Sequence, residues 1–357
     1  MWYKTKVTEQ CQIDYPIIQA GMAGSTTPEL VATVSELGGL GTIGAGYMTP
    51  DALEQEILQV KTRTSKPFSV NLFVPESFSY TDDDVEAMND FLAPYREALK
   101  LEKPTIGQHD SSTFDEQINI VIQQQVPVCS FTFGIPDEQT IQRLKEAGIV
   151  LIGSATTVEE AKKVEVAGFD AVVAQGSEAG GHRATFDDSE ETSPLIGTMA
   201  LIPQVVDHVN IPVIAAGGVM DSRGWLASHA LGAQGIQMGT AFLTTHDSQA
   251  KSAHKQAIFN SAETDAILTH ELSGKPARGI HNALIQHLRE DGPATLPYPI
   301  QNDLTKHIRA TAGKVGKSEW MHMWSGQGVR MARDVDAATF FTQLIQNAQS
   351  QVEKFKL

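Results

Sequence analysis

Cysteine is scarce: Cys11 and Cys129 are the only two in 357 residues. Two thiols so far apart make neither a disulfide framework nor a metal cluster, and a reducing, cytoplasmic compartment fits them best. The chain has no His-x-x-x-His pair either, so no metal site is expected. No run approaches the roughly 20 apolar residues that span a bilayer. Met1 to Ala20 carries Lys4, Lys6, Glu9 and Asp14 and lacks the apolar core of a secretory signal, so no membrane association is expected. Positive charge is also short, with 27 Lys and Arg against 43 Asp and Glu, a net charge of −16. A chain of that sign has no broad face to neutralise phosphates, which argues against a general nucleic-acid binder but leaves room for a local basic pocket. Hydrophobic residues make up 41%, enough for a sizeable core and against disorder as the main state. The length allows two domains, or one large barrel with additions.

Short β-rich runs alternate with helical patterns. Strands are expected at Pro16 to Ala20, Leu40 to Ala45, Phe68 to Val74, Val126 to Phe133, Val150 to Gly153, Ala171 to Gln175, Pro212 to Ala216 and Gly235 to Met238. Thr27-Pro28 and Pro50 open the first two intervening helices, the second with Leu53, Ile57, Leu58 and Val60 inward. Strands that alternate with helices and read as continuous apolar runs imply a parallel sheet covered on both faces. Eight such units suggest a closed (β/α)8 TIM barrel, with an open doubly wound sheet as the alternative. Two stretches break the rhythm. One, Pro75 to Thr113, is polar, with Asp82-Asp83-Asp84 at the start of a helix. The other, everything after Thr240, contains several helices and the turn Leu296-Pro297-Tyr298-Pro299. The organisation expected is a barrel over 1–74 and 114–248, a mainly helical cap or substrate domain over 75–113 and 249–335, and a last helix in 336–357 that packs on the barrel or on a second copy, which would make a homodimer.

Gly39-Leu40-Gly41-Thr42-Ile43-Gly44 matches G-x-G-x-x-G as text, but it lies within a strand rather than between a strand and a helix N-terminus. Packing is the better reading. Gln175-Gly176-Ser177-Glu178-Ala179-Gly180-Gly181-His182-Arg183 follows the sixth barrel strand, at the mouth where barrel active sites sit. The glycines let backbone N–H groups approach a ligand, and His182 brings a group suited to proton transfer. Arg183 could pair with an anion or tie down the loop. Ala215-Ala216-Gly217-Gly218-Val219 and Gln237-Met238-Gly239-Thr240 follow the last two barrel strands, where barrels hold phosphates. Asp221 or Ser222 could cap the helix that follows. With Asn71 at the end of the third strand, these turns point to a phosphorylated planar cofactor. Met321, His322, Met323 and Met331 read as packing residues, and Lys306, His307 and Arg309 as an exposed helix face from which one could attract a carboxylate.

These residues together resemble the nitronate monooxygenase family, flavin enzymes on a TIM barrel. The matching pieces are Pro16 to Ala23, Pro67 to Phe73, Glu178 to Arg183, Ala215 to Gly218, Gln237 to Thr240 and Trp324-Ser325-Gly326-Gln327-Gly328. The resemblance covers nearly the whole chain. It implies FMN held by Met22, Asn71, Gln175, Gly180, Gly181, Gly217, Gly218, Gln237, Met238, Gly239 and Thr240. It also implies a catalytic role for His182 and a place for Tyr298 at the substrate pocket. The reaction implied is oxidative denitrification of an alkyl nitronate with O₂. Propionate 3-nitronate is the expected substrate and detoxification the expected role. Gly21 and Ala184 stand where bacterial members often have Pro and Gly, changes that bear on loop shape. The rival is a flavin-dependent enoyl-ACP reductase using NAD(P)H, disfavoured by the Pro75 to Thr113 insert and the Tyr298 and Trp324 to Gly328 region. A phosphate-ligand barrel without redox activity is the remaining alternative.

Overall fold

The computed structural model describes residues 1–107, 111–186 and 194–355. Side-chain caps start the helices where Thr, Asp or Asn precedes an apolar stripe. Thr27 accepts from Leu30 N ahead of Pro28–Glu36, and Thr49 accepts from Ala52 N ahead of Pro50–Arg63. In both, proline takes the first helical position, where its missing N–H costs nothing. In the second helix Leu53, Ile57 and Val60 are buried as expected, but Leu58 is 40% exposed. It follows Ile57 by one residue, about 100° round the helix and off the apolar face. The acidic triplet forms the exposed first turn of Asp82–Leu99, capped by Thr81.

Among the described residues the strands are, in chain order, β1 (Ile17–Gln19), β2 (Gly41–Gly44), β3 (Phe68–Phe73), β4 (Val128–Thr132), β5 (Val150–Ala155), β6 (Ala171–Gln175), β7 (Gly181–His182), β8 (Val213–Ala216), β9 (Gly235–Met238), β10 (Ala266–Thr269) and β11 (Ala277–Ile280). Eight are parallel, in the order β1-β9-β8-β6-β5-β4-β3-β2. A parallel bridge between Ile18 and Leu40 joins the two ends. The ring therefore closes into a (β/α)8 barrel, and the open sheet is excluded.

Alternation along the strands creates two apolar layers. Ile18, Val128, Ile152, Val173, Ile214 and Ala216 form the inner one, joined by Val7, Cys11 and Ile13 from the N-terminal segment. Ile17, Ile43, Val70, Val172 and Ile236 pack outward against the helices. Phe340, Phe341 and Leu344 of the Ala337–Phe355 helix belong to that outer layer, so the last helix packs on its own barrel. A separate cluster joins Met88 and Leu92 of the insert helix to Leu272, Leu284, Leu288, Ile300 and Leu304.

The sequence predicts helices and a turn after Thr240. The structure adds an antiparallel sheet, β10-β11-β7, in which Ala277 pairs with His182. These strands lie outside the repeating strand–helix units, and Gly181-His182 and Ala277-Arg278-Gly279-Ile280 have no continuous apolar run to mark them. No helix among the described residues is long and apolar enough to cross a membrane.

Candidate active site

The C-terminal mouth of the barrel opens into a cavity of about 1010 Å³. That is at the upper end of the roughly 300–1,000 Å³ common for ligand sites. Met22, Asn71, Gln175, Gly180, Gly181, His182, Gly217, Gly218, Gln237, Gly239, Thr240 and Tyr298 all line it. Met238 does not. It is 1% exposed and packs with Ile236 in the outer apolar layer, because neighbouring residues on a strand point to opposite faces.

At one end the turns after β8 and β9 lie side by side. The N–H groups of Gly217, Gly218, Gly239 and Thr240 donate to no acceptor among the described residues. Gly217 sits at φ +109°, a conformation strained for any L side chain. A Cβ on Gly180 would fall 2.4 Å from Gly326 N, so the Ser325-Gly326 turn presses directly on the barrel loop. Gly326 N in turn donates to Thr240 Oγ1 at 2.9 Å, and Ser325 Oγ is buried without a partner among the described residues. Unpaired backbone donors over a glycine floor, beside an orphan hydroxyl, fit the phosphate of a cofactor. Two neighbouring helix N-termini are already served by the protein. Glu178 Oε1 and Oε2 each accept from Thr198 N at 2.9 Å, and Asp221 caps Ser222–Ala230 through Arg223 N.

The polar side chains between the strands hold one another. Asn71 Nδ2 donates to Ser130 Oγ at 3.0 Å and Thr132 Oγ1 at 3.2 Å. Gln175 Nε2 donates to His182 O at 3.1 Å, and its Oε1 accepts from Ala184 N at 2.9 Å. Gln175 thus pins both sides of the His182 loop. Arg183 is 2% exposed and lies outside the cavity lining; its Nη2 donates to Pro194 O at 3.4 Å, and its Nε and Nη1 have no partner among the described residues.

His182 stands among aromatic rings. Its centroid is 5.5 Å from Phe133, 5.5 Å from Trp324, and 6.3 Å from both Phe73 and Tyr298. Burial, reinforced by the Arg309 and Lys275 charges, lowers its pKa to about 3. At neutral pH the imidazole is therefore uncharged. Nε2 lies 2.8 Å from Ser273 Oγ, which is itself 3.3 Å from the Lys275 carbonyl oxygen. A carbonyl can only accept. With the serine hydrogen turned to it, Ser273 accepts from His182 Nε2–H and leaves Nδ1 as the ring's free acceptor.

The structure brings in groups that the sequence reading set aside. Lys306 is half-buried and His307 exposed, but Arg309 is buried and lines the cavity, against the expected exposed face. His322 lines it too rather than serving as packing alone, as does His254, whose Nε2 donates to Trp324 O at 2.9 Å. Burial lowers the His254 pKa to about 4, against the carbonyl bond that raises it. The folded state then binds fewer protons than the unfolded one between about pH 6.5 and 4, so stability is lost as pH falls through that window. The expected loss for His254 is on the order of 2–3 kcal/mol. Calorimetry at pH 7.0 and 4.5 checks it: His254→Gln should show a smaller acid-induced fall in Tm than the wild type. An equal fall would remove His254 as the cause.

A closed parallel barrel with a histidine-walled cleft at its C-terminal mouth is the build of a barrel enzyme. The chain belongs to the nitronate monooxygenase family, whose model matches residues 4–347, and it is an oxidoreductase of that family. A probable nitronate monooxygenase from Staphylococcus haemolyticus is 56% identical over 351 residues, 98% of each chain. The solved structure of a nitroalkane oxidase from Streptomyces ansochromogenes superimposes with a TM-score of 0.91 at 39% identity, covering 98% of this chain and 100% of that one. FabK from Thermotoga maritima is more distant, with a TM-score of 0.78 at 30% identity, covering 99% and 98%.

Proposed function

We propose that the chain is an FMN-dependent monooxygenase that oxidises propionate 3-nitronate with O₂, a cytoplasmic detoxifying activity. The observation that carries this reading is one cavity with unpaired backbone donors at one end and an uncharged, aromatic-walled His182 at the other. FMN, when bound, supplies the electron transfer from nitronate to O₂. Gly217, Gly218, Gly239, Thr240 and Ser325 would hold its phosphate. Met22, Asn71 and Gln237 line the space for the ring system, and Gln175 fixes the loop that presents His182.

A nitronate has already lost its α-proton, so it needs orientation rather than a base. His182 supplies that through an uncharged ring hydrogen-bonded to Ser273, and Tyr298, Phe133 and Trp324 exclude water around it. If a neutral nitroalkane enters, Nδ1 is the atom placed to accept its α-proton. Residues 75–113 and 249–335 act as the substrate-side cap over the 1–74 and 114–248 barrel.

Two measurements test this. The purified protein should show a flavin absorption spectrum and should consume O₂ on addition of propionate 3-nitronate. Colourless protein that takes up no FMN, or flavoprotein that consumes no O₂, would overturn the reading. Because of the likeness to FabK, anaerobic mixing with NADH is the second arm, and the flavin should stay oxidised.

A further inference from the structure

The cations that line the cavity are not equivalent. Lys251 and Lys314 are exposed at its rim. Lys306 Nζ lies 2.8 Å from Asp303 Oδ1, so its charge is matched. Arg309 is 5% exposed and forms no ion pair among the described residues. Its contacts are all uncharged. Nε donates to Thr305 Oγ1 at 3.0 Å, Nη2 donates to Asn302 Oδ1 at 2.5 Å and approaches Asn302 O at 3.5 Å, and Nη1 lies 3.2 Å from His322 Nδ1.

A guanidinium can only donate, so His322 Nδ1 accepts and the neutral ring carries its proton on Nε2. Burial and the Arg309 charge itself hold His322 in that neutral form. Three neutral groups therefore clamp the guanidinium without discharging it, and its remaining hydrogens and the His322 Nε2–H are donors beside the cavity. Burying a cation without a counter-charge is expensive, and such an arrangement is completed by an anion. The phosphate donors are elsewhere, on the barrel turns after β8 and β9. Arg309 instead belongs to the cap helix Ile300–Lys314 and connects to His182 through His322 and Trp324, whose rings are 5.8 Å apart. The two sites share one electrostatic space, since Arg309 is among the causes that lower the His182 pKa.

We infer that Arg309, held by Asn302, Thr305 and His322, binds the carboxylate at the far end of the substrate and makes the enzyme selective for short carboxylate-bearing nitronates over nitronates with uncharged tails. This rests on the nitronate-oxidising activity proposed above and assigns its specificity to one residue. Lys306 is the weaker candidate, because Asp303 already neutralises it.

The test is steady-state O₂ consumption by flavin-loaded wild type, Arg309→Met and Arg309→Lys with two substrates, propionate 3-nitronate and propyl-1-nitronate. The second has a chain of the same length and no carboxylate. Arg309→Met should raise KM for propionate 3-nitronate by about 30-fold, as expected for loss of a charge-assisted pair, with kcat little changed. Its kinetics with propyl-1-nitronate should stay within about threefold of wild type. Arg309→Lys should restore part of the loss, since a point charge replaces a planar fork. Equal losses on both substrates, or an unchanged KM for the carboxylate, would overturn the assignment. Wild type inactive on both nitronates would instead overturn the activity on which it rests.

Discussion

His182→Asn should lose about 10³-fold in kcat/KM with a neutral nitroalkane and only about 30-fold with the corresponding nitronate, at unchanged FMN content. The two numbers differ because the two substrates ask different things of the residue. The nitroalkane must surrender a proton from carbon, and a positioned base contributes about 10²–10⁴-fold to such a step. The nitronate asks for no proton transfer and needs only to be positioned against the ring, and misplacement of a substrate costs about 10²-fold or less. With a pKa of about 3, the imidazole is unprotonated from pH 5 upward, so no acid limb above pH 5 should arise from this ring. FMN should remain because His182 does not belong to the turns that present the unpaired N–H groups. Equal losses on both substrates would show that His182 serves only to shape the pocket. Loss of flavin from the variant would place it in cofactor binding instead.

Gly41→Ala should be among the most damaging single substitutions outside the cavity. A Cβ there would sit 2.1 Å from Val31 O and 2.7 Å from Val31 C and Cα. All three are backbone atoms of the Pro28–Glu36 helix, so no rotamer change relieves the clash. Either β2 leaves its register with β3 or the helix lifts off the barrel. The expected cost is about 3 kcal/mol or more, read as a lower Tm or insoluble expression. Gly313→Ala is the contrast. It lies inside the Ile300–Lys314 helix, and its Cβ would meet Lys251 Cγ at 3.5 Å and Met321 Cε at 3.6 Å, ordinary contacts. Gly313→Ala should be neutral or stabilise by about 0.5–1 kcal/mol. A Gly41→Ala protein that melts with the wild type would refute this account of the helix–strand approach.

The barrel was legible because each unit announces itself twice. A capped start such as Thr27-Pro28 and an apolar run such as Ala171 to Gln175 are local signals, and the structure honours both. The Gly39 to Gly44 string was legible as packing for the same reason: its context was a strand, and Gly41 is where the helix backbone touches it. The mouth was legible through glycines whose amides remain unpaired. Met238 was misplaced because a text match ignores the alternation that turns it outward. The burial of Arg309 was misread for a different reason. Its neighbours Lys306 and His307 are at least partly exposed, and a run of basic residues reads as a solvated face. Yet Asn302, Thr305 and Arg309 recur at three- and four-residue spacing, opposite Ile300, Leu304 and Ile308. That polar stripe was the available signal, since a helix covered on one side by an apolar cluster had a second face to account for. Strands β7, β10 and β11 left no comparable trace, because they stand outside the repeating strand–helix units and Gly181-His182 and Ala277-Arg278-Gly279-Ile280 carry no continuous apolar run.

The pairing of Ala277 with His182 has a consequence for how the molecule can be re-engineered. The His182 loop is stitched by main-chain bonds to the β11 strand, so moving that segment away would break the edge that holds residues 181 and 182. A chimaera that exchanges roofs between relatives would have to carry the β10–β11 hairpin and the 181–182 segment as a single cassette.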